Sequence, residues 1–571
     1  MVMPQPTPWR ESVQKNPEDF RVLIVYPNLP LMLVPSIAIA LFTRILKDQG
    51  YVVDLFETTH YDTDETNYSE TQINYSENRV NLLNVRKFSI EEDLGVETKS
   101  GMLADFRKKV VDFTPDLMLF SVVEDTFLQT RTMLQMVEDL GIPHLVGGVF
   151  PTMAPKKAIE VPEVRLIGPG EGEHTIVAVA EAVRNAKTVE GIPGTWLKSE
   201  EGEVKSYPYG PLVNINDTYA DFSLFDESRF MRPMGGRVFK MIPVESFRGC
   251  PYACTYCNSP SQRVFTKEND LGNFMRRKTI PMLRDELRAY SNEFSPDFFF
   301  FVDDSFLARP RQEIFDFCDM YEEFKLPFYF NTRAENCDPE VLARLKAVNC
   351  YRIAFGIEAG NEQYRNKVLQ RKIINAEIIK RFKWIADSGI AFSLNLIIGL
   401  PGETRDLVMD TVELARAIQG YDSLTSFIFT PYRGTILRKV AVENGWLDPD
   451  TITKHNTSKS LLKMPPPYLN ADETDGLLAV LPLYCYFPKD KWSDLRRAEG
   501  SDEEALSIRK HYSDIYSKNF LSGTQDDEKT YIIGEAGHWG EDPDTYFKGT
   551  PDRMGEETLA PLLASGSPLS Y

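Results

Sequence analysis

No cysteine precedes Cys250 in this chain of 571 residues, which contains only seven cysteines in all. Three of the seven lie within eight residues, a spacing that disfavours a disulfide framework and is typical of a metal site. Residues 1–20 are polar and lack the apolar segment of a secretory signal. We therefore expect a protein of the reducing cytoplasm.

Positive charge is scarce, because 64 Lys and Arg residues stand against 84 Asp and Glu residues and give a formal net charge of -20. Such an acidic surface repels phosphate backbones, so we do not expect a nucleic acid as a partner. Long apolar runs are also absent. The most apolar stretch, residues 29–42, contains two prolines and is too short to cross a bilayer, so we expect no transmembrane segment.

Two series of alternating strands and helices organise the sequence. In the first, five short apolar strands alternate with helices, which predicts a parallel, doubly wound, Rossmann-like sheet. In the second, six strand–helix units predict a partial (β/α)6 barrel rather than a closed barrel of eight strands. Weaker periodicity after residue 440 predicts a mainly helical extension of this α/β chain. We divide the chain into a leader at 1–20, the first series at 21–190 with a polar insertion at 60–100, a connector at 191–235, the second series at 236–440 and a C-terminal region at 441–571.

The clustered cysteines, Cys250, Cys254 and Cys257, have the spacing C-x3-C-x2-C. Three thiolates can ligate three irons of a cubane [4Fe–4S] cluster, which leaves the fourth iron open. The amine and carboxylate of a methionine can chelate that open iron. The alternative is a zinc knuckle, but zinc usually needs a fourth Cys or His, and none is nearby. We therefore predict a [4Fe–4S] cluster.

The cysteine motif, with Tyr256 before its last cysteine, resembles the signature of the radical S-adenosylmethionine (SAM) superfamily. The resemblance implies that the cluster, reduced by a flavodoxin- or ferredoxin-type donor, cleaves SAM to a 5′-deoxyadenosyl radical. It also implies that Tyr256 lies against the adenine and that an aspartate after the second strand contacts the methionyl amine. Residues 299–306, 354–360 and 395–404 also match segments of the family. Each candidate in them is either a SAM contact or a structural cap or turn. The SAM-binding candidates are Tyr256, Asp303, Asp304, Arg333, Glu358 and Asn395.

The first series resembles the cobalamin-binding domain of the cobalamin-dependent radical SAM methylases and their relatives, and this resemblance covers residues 20–440. The lack of cysteine before Cys250 excludes a methylthiotransferase, whose leading domain supplies three further cysteines. Ligands of doubly wound sheets bind at the carboxyl ends of the strands, and glycines in those loops let the backbone approach a ligand closely. The cobalamin-binding candidates in these loops are Pro35, Ser121, Gly147, Gly148, Gly170, Glu171 and Gly172.

The familiar D-x-H-x-x-G signature of cobalamin binding is absent. His144 precedes Gly147 by three residues, but Ile142 stands where that signature has an aspartate. We expect His144 to be a core or edge histidine, and cobalamin to bind without a histidine axial ligand. The alternative is a Rossmann-like domain that has lost its ligand.

The resemblance implies methyl transfer from methylcobalamin to an unactivated carbon of a small-molecule or lipid-like substrate. One alternative is a cobalamin-dependent cyclase or oxidoreductase without methyl transfer, as in anaerobic magnesium-protoporphyrin ester cyclisation. Another is a non-catalytic cobalamin-binding regulator. Arg433 replaces the usual proline of a Pro-Gly-Thr loop and is either a substrate contact or a plain surface arginine. The remaining cysteines are predicted to be buried structural thiols: Cys318, Cys337, Cys350 and Cys485.

Overall fold

A seven-stranded sheet occupies the amino-terminal part of the computed structural model, which describes residues 8–62, 80–453, 459–525 and Leu562. Its strands are β1 (Arg21–Tyr26), β2 (Val52–Glu57), β3 (Leu117–Ser121), β4 (His144–Gly147), β5 (Leu166–Gly168), β6 (Trp196–Lys198) and β7 (Val204–Ser206). Five parallel strands in the order β2-β1-β3-β4-β5 are extended by the antiparallel hairpin β6–β7. The strand order reverses between β1 and β3, which is where doubly wound sheets open a ligand crevice.

Helices cover both faces of this sheet. The helices are α1 (Ile37–Asp48), α2 (Ile90–Leu94), α3 (Met102–Phe113), α4 (Phe127–Met136), α5 (Val149–Met153), α6 (Pro155–Glu160) and α7 (Glu173–Arg184). The apolar sides of α1 and α7 pack on one face, and those of α3 and α4 pack on the other. Because both faces are covered, β1 is a continuous apolar run rather than an alternating one.

The second sheet is a curled, mostly parallel half-barrel. Its strands are β8 (Met231–Met234), β9 (Arg237–Val244), β12 (Phe298–Phe301), β13 (Phe328–Thr332), β14 (Cys350–Glu358), β15 (Ala391–Ile398) and β16 (Ser423–Ile428), and a separate ribbon pairs β10 (Phe247–Arg248) with β11 (Arg276–Arg277). The order is β16-β15-β14-β13-β12-β9-β8, in which six strands are parallel and β8 is an antiparallel edge. The predicted partial barrel is therefore confirmed.

Helices connect the parallel strands and surround the half-barrel. They are α8 (Ser259–Glu268), α9 (Ile280–Phe294), α10 (Arg311–Tyr321), α11 (Pro339–Ala347), α12 (Glu362–Lys367), α13 (Asn375–Asp387), α14 (Arg405–Ala417) and α15 (Ile436–Glu443). Edge strand β16 is capped by the predicted insertion: the Asn84 side-chain amide donates to the Ser426 carbonyl at 3.1 Å and accepts from its N–H at 2.9 Å. This pairing satisfies backbone groups that an edge strand otherwise leaves open. Residues 63–79 of the insertion lie outside the described residues.

The C-terminal region contributes α16 (Ala471–Tyr486), α17 (Trp492–Ala498) and α18 (Glu503–Asn519). Its aromatic residues pack against one another; the rings of Tyr486 and Tyr516, for example, lie 5.2 Å apart and are buried. Cys485 is buried in α16, and Cys318, Cys337 and Cys350 are buried in the half-barrel, as predicted for structural thiols. Within the described ranges, no helix is long and apolar enough to cross a membrane.

Candidate cluster, SAM and cofactor sites

The three motif cysteines lie in one loop between β10 and α8. The Ser259 N–H donates to Cys257 Sγ at 3.4 Å, and Arg333 Nη1 lies 3.9 Å from Cys254 Sγ. An amide donor and a cation beside the sulfurs stabilise thiolate and tune a bound cluster. Burial raises the pKa of Cys250 to about 11 and that of Cys257 to about 12.

These donors fit an iron–sulfur cluster. Three cysteine sulfurs in one loop, with an amide donor and a guanidinium beside them, match the ligand set of a [4Fe–4S] cluster. In the parts of the chain that the structure describes, no three His, Cys, Asp or Glu side chains converge as ligands of a single ion. A cubane does not need such convergence, because each thiolate ligates a different iron.

A buried triad of Tyr256, Glu358 and Arg371 lies beside the cysteine loop. Arg371 Nη1 donates to the Tyr256 hydroxyl at 3.0 Å and to Glu358 Oε1 at 3.1 Å, and the Tyr256 hydroxyl lies 3.2 Å from the same oxygen. Burial raises the pKa of Glu358, and Arg371 partly offsets this effect. Glu358 has a φ of 66°, at an irregularity in the pairing of β14 with β15, and such backbone strain clusters at functional sites.

Sequence reasoning missed Arg371. The residue lies in an irregular turn between α12 and α13, and no motif or periodicity marks it. Its role emerges only because the turn brings its guanidinium back onto the end of β14, where it also donates to the Gly356 carbonyl at 2.6 Å. The residue is therefore a further candidate of the SAM site.

The structure separates the two aspartates that were predicted to contact the methionyl amine. The Asp303 carboxylate accepts hydrogen bonds from the N–H groups of Ser246 and Phe247 at 2.8 and 3.0 Å, and from Arg309 at 2.7 Å. These contacts hold the turn between β9 and β10 and leave the Asp303 side chain with no exposed surface, which favours a structural role over contact with SAM. Asp304 instead accepts from the Ser259 hydroxyl at 3.2 Å, next to the cysteine loop, and stays a candidate.

The other two SAM candidates also lie on the half-barrel. Arg333 follows β13, and its guanidinium stacks 3.9 Å from the ring centre of Tyr252 in the cysteine loop. Asn395 is half-buried on β15, where it pairs in register with Gly356 of β14. Both positions adjoin the cysteine loop or the triad.

A cavity of about 590 Å³ lies at the carboxyl ends of the first sheet. All seven cobalamin candidates line it: Pro35, Ser121, Gly147, Gly148, Gly170, Glu171 and Gly172. The opposite wall comes from the second series and includes Arg248 of β10 and Gln262, Phe265 and Thr266 of α8, the helix that directly follows the cysteine loop. The cavity is thus bounded by the loops of the first sheet and by the elements that flank the motif cysteines.

Two of the glycines are required by packing around the cavity. Gly148 has a φ of 110°, and a Cβ there would lie 2.4 Å from the Val122 carbonyl oxygen. A Cβ on Gly172 would lie 2.7 Å from the ring of Phe42 in α1. A side chain at either position would displace the cavity wall, so these glycines hold loops close together as well as leaving room for a ligand.

Glu171 lines the cavity, but its carboxylate is already bound by protein groups. It accepts from Arg276 at 2.8 Å, from Arg248 at 3.2 Å and from the Val213 N–H at 3.0 Å. Burial raises the pKa of Glu171, but Arg276 and Arg248 outweigh burial and hold that pKa below its usual value. Glu171 therefore bridges the cavity loop and the β10–β11 ribbon, and its predicted contact with cobalamin stays a prediction.

His144 and Arg433 also have structural partners. His144 is buried at the opposite end of β4 from the cavity, and burial lowers its pKa to about 4. The Arg433 guanidinium donates to the carbonyl oxygens of Pro449 and Thr451 at 2.9 and 3.2 Å. The backbone N–H of Arg433 donates to the Glu124 carboxylate at 2.8 Å. Arg433 is thus held by protein groups, and its contact with a substrate stays a prediction.

Comparison with known proteins supports a radical SAM site around the cysteine loop. The model of the Radical SAM superfamily matches residues 244–415. An uncharacterised methyltransferase of Pyrococcus horikoshii is 24% identical over 379 residues, which are 63% of this chain and 79% of that protein. The anaerobic magnesium-protoporphyrin IX monomethyl ester cyclase of Rubrivivax gelatinosus is 22% identical over 323 residues, or 54% of this chain and 56% of that protein.

A solved structure shares the fold. It is the radical SAM methyltransferase TsrM of Kitasatospora setae with cobalamin and a [4Fe–4S] cluster bound; the TM-score is 0.54 at 16% identity, over 75% of this chain and 76% of TsrM. The family match begins at the end of β9 and includes the cysteine loop, Asp304, Arg333, Glu358 and Asn395. The chain is therefore an enzyme whose residues 244–415 match the radical SAM superfamily.

Proposed function

We propose that the protein is a cobalamin-dependent radical SAM enzyme that methylates an unactivated carbon of a small-molecule or lipid-like substrate. The observation that carries this proposal is the cavity of about 590 Å³, because the loops of the first sheet and the helix after the cysteine loop share it. A cofactor in that cavity would face the radical SAM site. The Pyrococcus relative, described as a methyltransferase, and the cobalamin-bound TsrM structure support the same activity.

The residues around the cysteine loop would hold the cluster and SAM. Cys250, Cys254 and Cys257 would ligate the [4Fe–4S] cluster, which supplies an electron that cleaves SAM to a 5′-deoxyadenosyl radical. The SAM-binding residues are proposed to be Tyr256, Asp304, Arg333, Glu358, Arg371 and Asn395. Their side chains orient the reactants and exclude water, and abstraction of hydrogen from a carbon requires no acid or base from the protein.

Cobalamin, when bound, would supply the methyl group. The glycine loops after β4 and β5 would accommodate it, as would the wall formed by Pro35 and Ser121. In the described parts of the chain, the side chains that line the cavity include no histidine. We therefore propose that cobalamin binds without an imidazole ligand from the protein, as the missing signature predicts.

The second candidate function is a cobalamin-dependent cyclisation or oxidation without methyl transfer. The Rubrivivax cyclase favours it, since that relative also matches this chain. A non-catalytic regulator is the third candidate, but the intact cysteine motif and the buried triad beside it favour catalysis. All seven cysteines are unpaired, which supports the cytoplasm as the proposed compartment. The proposed reductant is a flavodoxin- or ferredoxin-type protein.

One experiment separates the three candidates. The protein is purified without oxygen, reconstituted with iron, sulfide and cobalamin, and supplied with SAM and a reductant. A methylase forms both 5′-deoxyadenosine and S-adenosylhomocysteine, a cyclase forms only the first product, and a regulator forms neither. Cys254→Ala should abolish 5′-deoxyadenosine, whereas Cys318→Ala, a buried cysteine outside the motif, should retain it. Formation of 5′-deoxyadenosine by the Cys254 variant would disprove the assignment of the cluster.

A further inference from the structure

Five charged side chains form a network between the cavity and the cysteine loop. The carboxylates come from Glu171 and Glu173, which follow β5, and from Glu245, which follows β9; the guanidiniums come from Arg248 and Arg276. Arg248 donates to Glu173 at 2.7 Å and to Glu171 at 3.2 Å, and it contacts both oxygens of Glu245 at 3.0 and 2.9 Å. All of these side chains are no more than one-fifth exposed.

The two guanidiniums lie side by side on a short ribbon. Arg248 of β10 pairs directly with Arg276 of β11, and both bind Glu171. Arg248 also donates to Glu173 and Glu245, so its guanidinium is surrounded by three carboxylates. The network is therefore charged and cohesive, as expected for charge-assisted hydrogen bonds in a partly desolvated site.

The ribbon continues into the first ligand of the cluster through a constrained residue. Gly249 separates Arg248 from Cys250 and has a φ of 98°. A Cβ at this position would lie 2.6 Å from the Phe274 carbonyl oxygen, so the backbone here is pressed against the chain that leads to β11. A displacement of the Arg248 side chain is thus transmitted to Cys250 through a segment with little freedom.

On the other side of the network, Glu171 lies between Gly170 and Gly172 in the loop that lines the cavity. The same side chain therefore links the cofactor wall to the segment that carries the cluster. We propose that Arg248 and Glu171 are positioning residues, which fix the separation between the cavity cofactor and the [4Fe–4S] cluster. This inference rests on the proposed function, because it requires cobalamin in the cavity.

The distance between the cluster and the cavity cofactor affects how much of the radical leads to methylated product. The substrate must lie between SAM and the cavity cofactor, and a misplacement of about 1 Å can cost on the order of 100-fold in rate. When the Arg248 side chain is removed, the protein should still bind the cluster and cobalamin, but the distance between the two cofactors should vary. The radical would then form without reaching the methyl donor productively.

The test measures the separation directly. The full-length protein is reconstituted with cluster and cob(II)alamin, and pulsed electron–electron double resonance gives the distance distribution between the reduced cluster and the cobalt. The variants are Arg248→Met, Arg248→Lys and Glu171→Gln, with Arg107→Met as the control, because Arg107 forms an exposed ion pair with Asp139 elsewhere on the first domain. Iron, sulfide and cobalamin contents are measured for every variant.

We expect a narrow distribution of cluster–cobalt distances for the wild type and for the Arg107 variant. Arg248→Met and Glu171→Gln should at least double its width at unchanged cofactor content, and Arg248→Lys should restore part of the order because a lysine can still reach one carboxylate. The ratio of 5′-deoxyadenosine to methylated product should rise about tenfold in the broadened variants. Glu171→Gln leaves the side-chain volume almost unchanged. This variant therefore tests the inference even if Arg248→Met fails to fold.

The outcomes distinguish this inference from the proposed function. If the wild type takes up no cobalamin, the proposed function is wrong and this inference falls with it. If the wild type and Glu171→Gln both load the two cofactors and give the same distance distribution, the inference alone is overturned.

Discussion

Glu403 provides a test of how burial controls ionisation close to the SAM site. It lies in the loop after β15 and is fully buried. One carboxylate oxygen accepts from the N–H groups of Gly399 and Leu400 at 2.6 and 3.2 Å, while the other has no hydrogen-bond partner among the described residues. Burial raises the pKa of Glu403 from its ordinary value of 4.5 to about 8. The side chain is therefore protonated in the folded protein at neutral pH.

The raised pKa of Glu403 fixes the direction in which pH changes the free energy of unfolding. Between pH 4.5 and pH 8 the folded state holds a proton that the unfolded state has lost, so folding becomes less favourable as the pH rises. The difference of about 3.5 pKa units corresponds to about 5 kcal/mol above pH 8, at about 1.4 kcal/mol per unit. Glu403→Gln keeps an acceptor for the two N–H groups and carries no ionisable proton, so this penalty disappears.

Thermal unfolding of wild type and Glu403→Gln between pH 5.5 and pH 8.5 measures the effect. At pH 5.5, one unit above the ordinary pKa, the penalty is only about 1.4 kcal/mol, and the variant should melt about 3–6 °C higher. At pH 8.5 the variant should melt about 10–20 °C higher, since about 2–4 °C per kcal/mol is typical of cooperative units of 150–250 residues. An exposed control, Glu293→Gln, should follow the wild-type curve. Parallel curves for wild type and Glu403→Gln would refute the assignment of a buried, protonated carboxyl group.

Three further predictions concern the buried polar groups and the cavity. Arg371→Met leaves the Glu358 carboxylate buried without its cation and should lower the unfolding free energy by about 3–5 kcal/mol; the double variant with Glu358→Gln should lose less than the sum of the single losses. Glu124→Ala removes the acceptor of two backbone N–H groups, a loss of about 1–3 kcal/mol for each buried donor that thermal unfolding detects. Gly148→Ala forces a Cβ against the Val122 carbonyl and should abolish cobalamin uptake in equilibrium dialysis while leaving the iron content unchanged. Additive losses for the Arg371–Glu358 pair, or cobalamin uptake by the Gly148 variant, would contradict these predictions.

The strand ends could be predicted from sequence because parallel strands direct all their following loops to one edge. Short apolar runs locate β1, β3, β4 and β5, and the residues just after them necessarily converge. All seven cobalamin candidates line one cavity for that reason. The cysteine motif could be found equally well, since its ligands are local and their spacing reflects the geometry of a single loop.

Contacts between distant irregular segments could not be predicted in this way. Arg229 belongs to the connector, yet its fully buried guanidinium donates to the carbonyl oxygens of Leu33 and Val34 in the loop after β1. Asn84 lies in the predicted insertion and caps β16, more than 300 positions away. Neither contact leaves a periodic or spaced pattern, because each depends on how two complete sheets pack together.

Glu171 and Arg433, two of the charged candidates, share one structural feature. Glu171 is predicted to contact cobalamin because its loop resembles a cobalamin-binding loop, and Arg433 is predicted to be either a substrate contact or a plain surface arginine. In the structure, carboxylates that follow strands of the first sheet contact arginines of later segments. Glu171 accepts from Arg248 and Arg276, and Glu124 accepts from the Arg433 backbone N–H and lies 3.7 Å from its guanidinium. Because these carboxylates already have cationic partners, the walls of the cavity are held together by charge while its remaining lining is largely glycine, hydroxyl and apolar side chains. Such a lining suits a large cofactor that is recognised by shape, and the glycines predicted from the sequence are part of it.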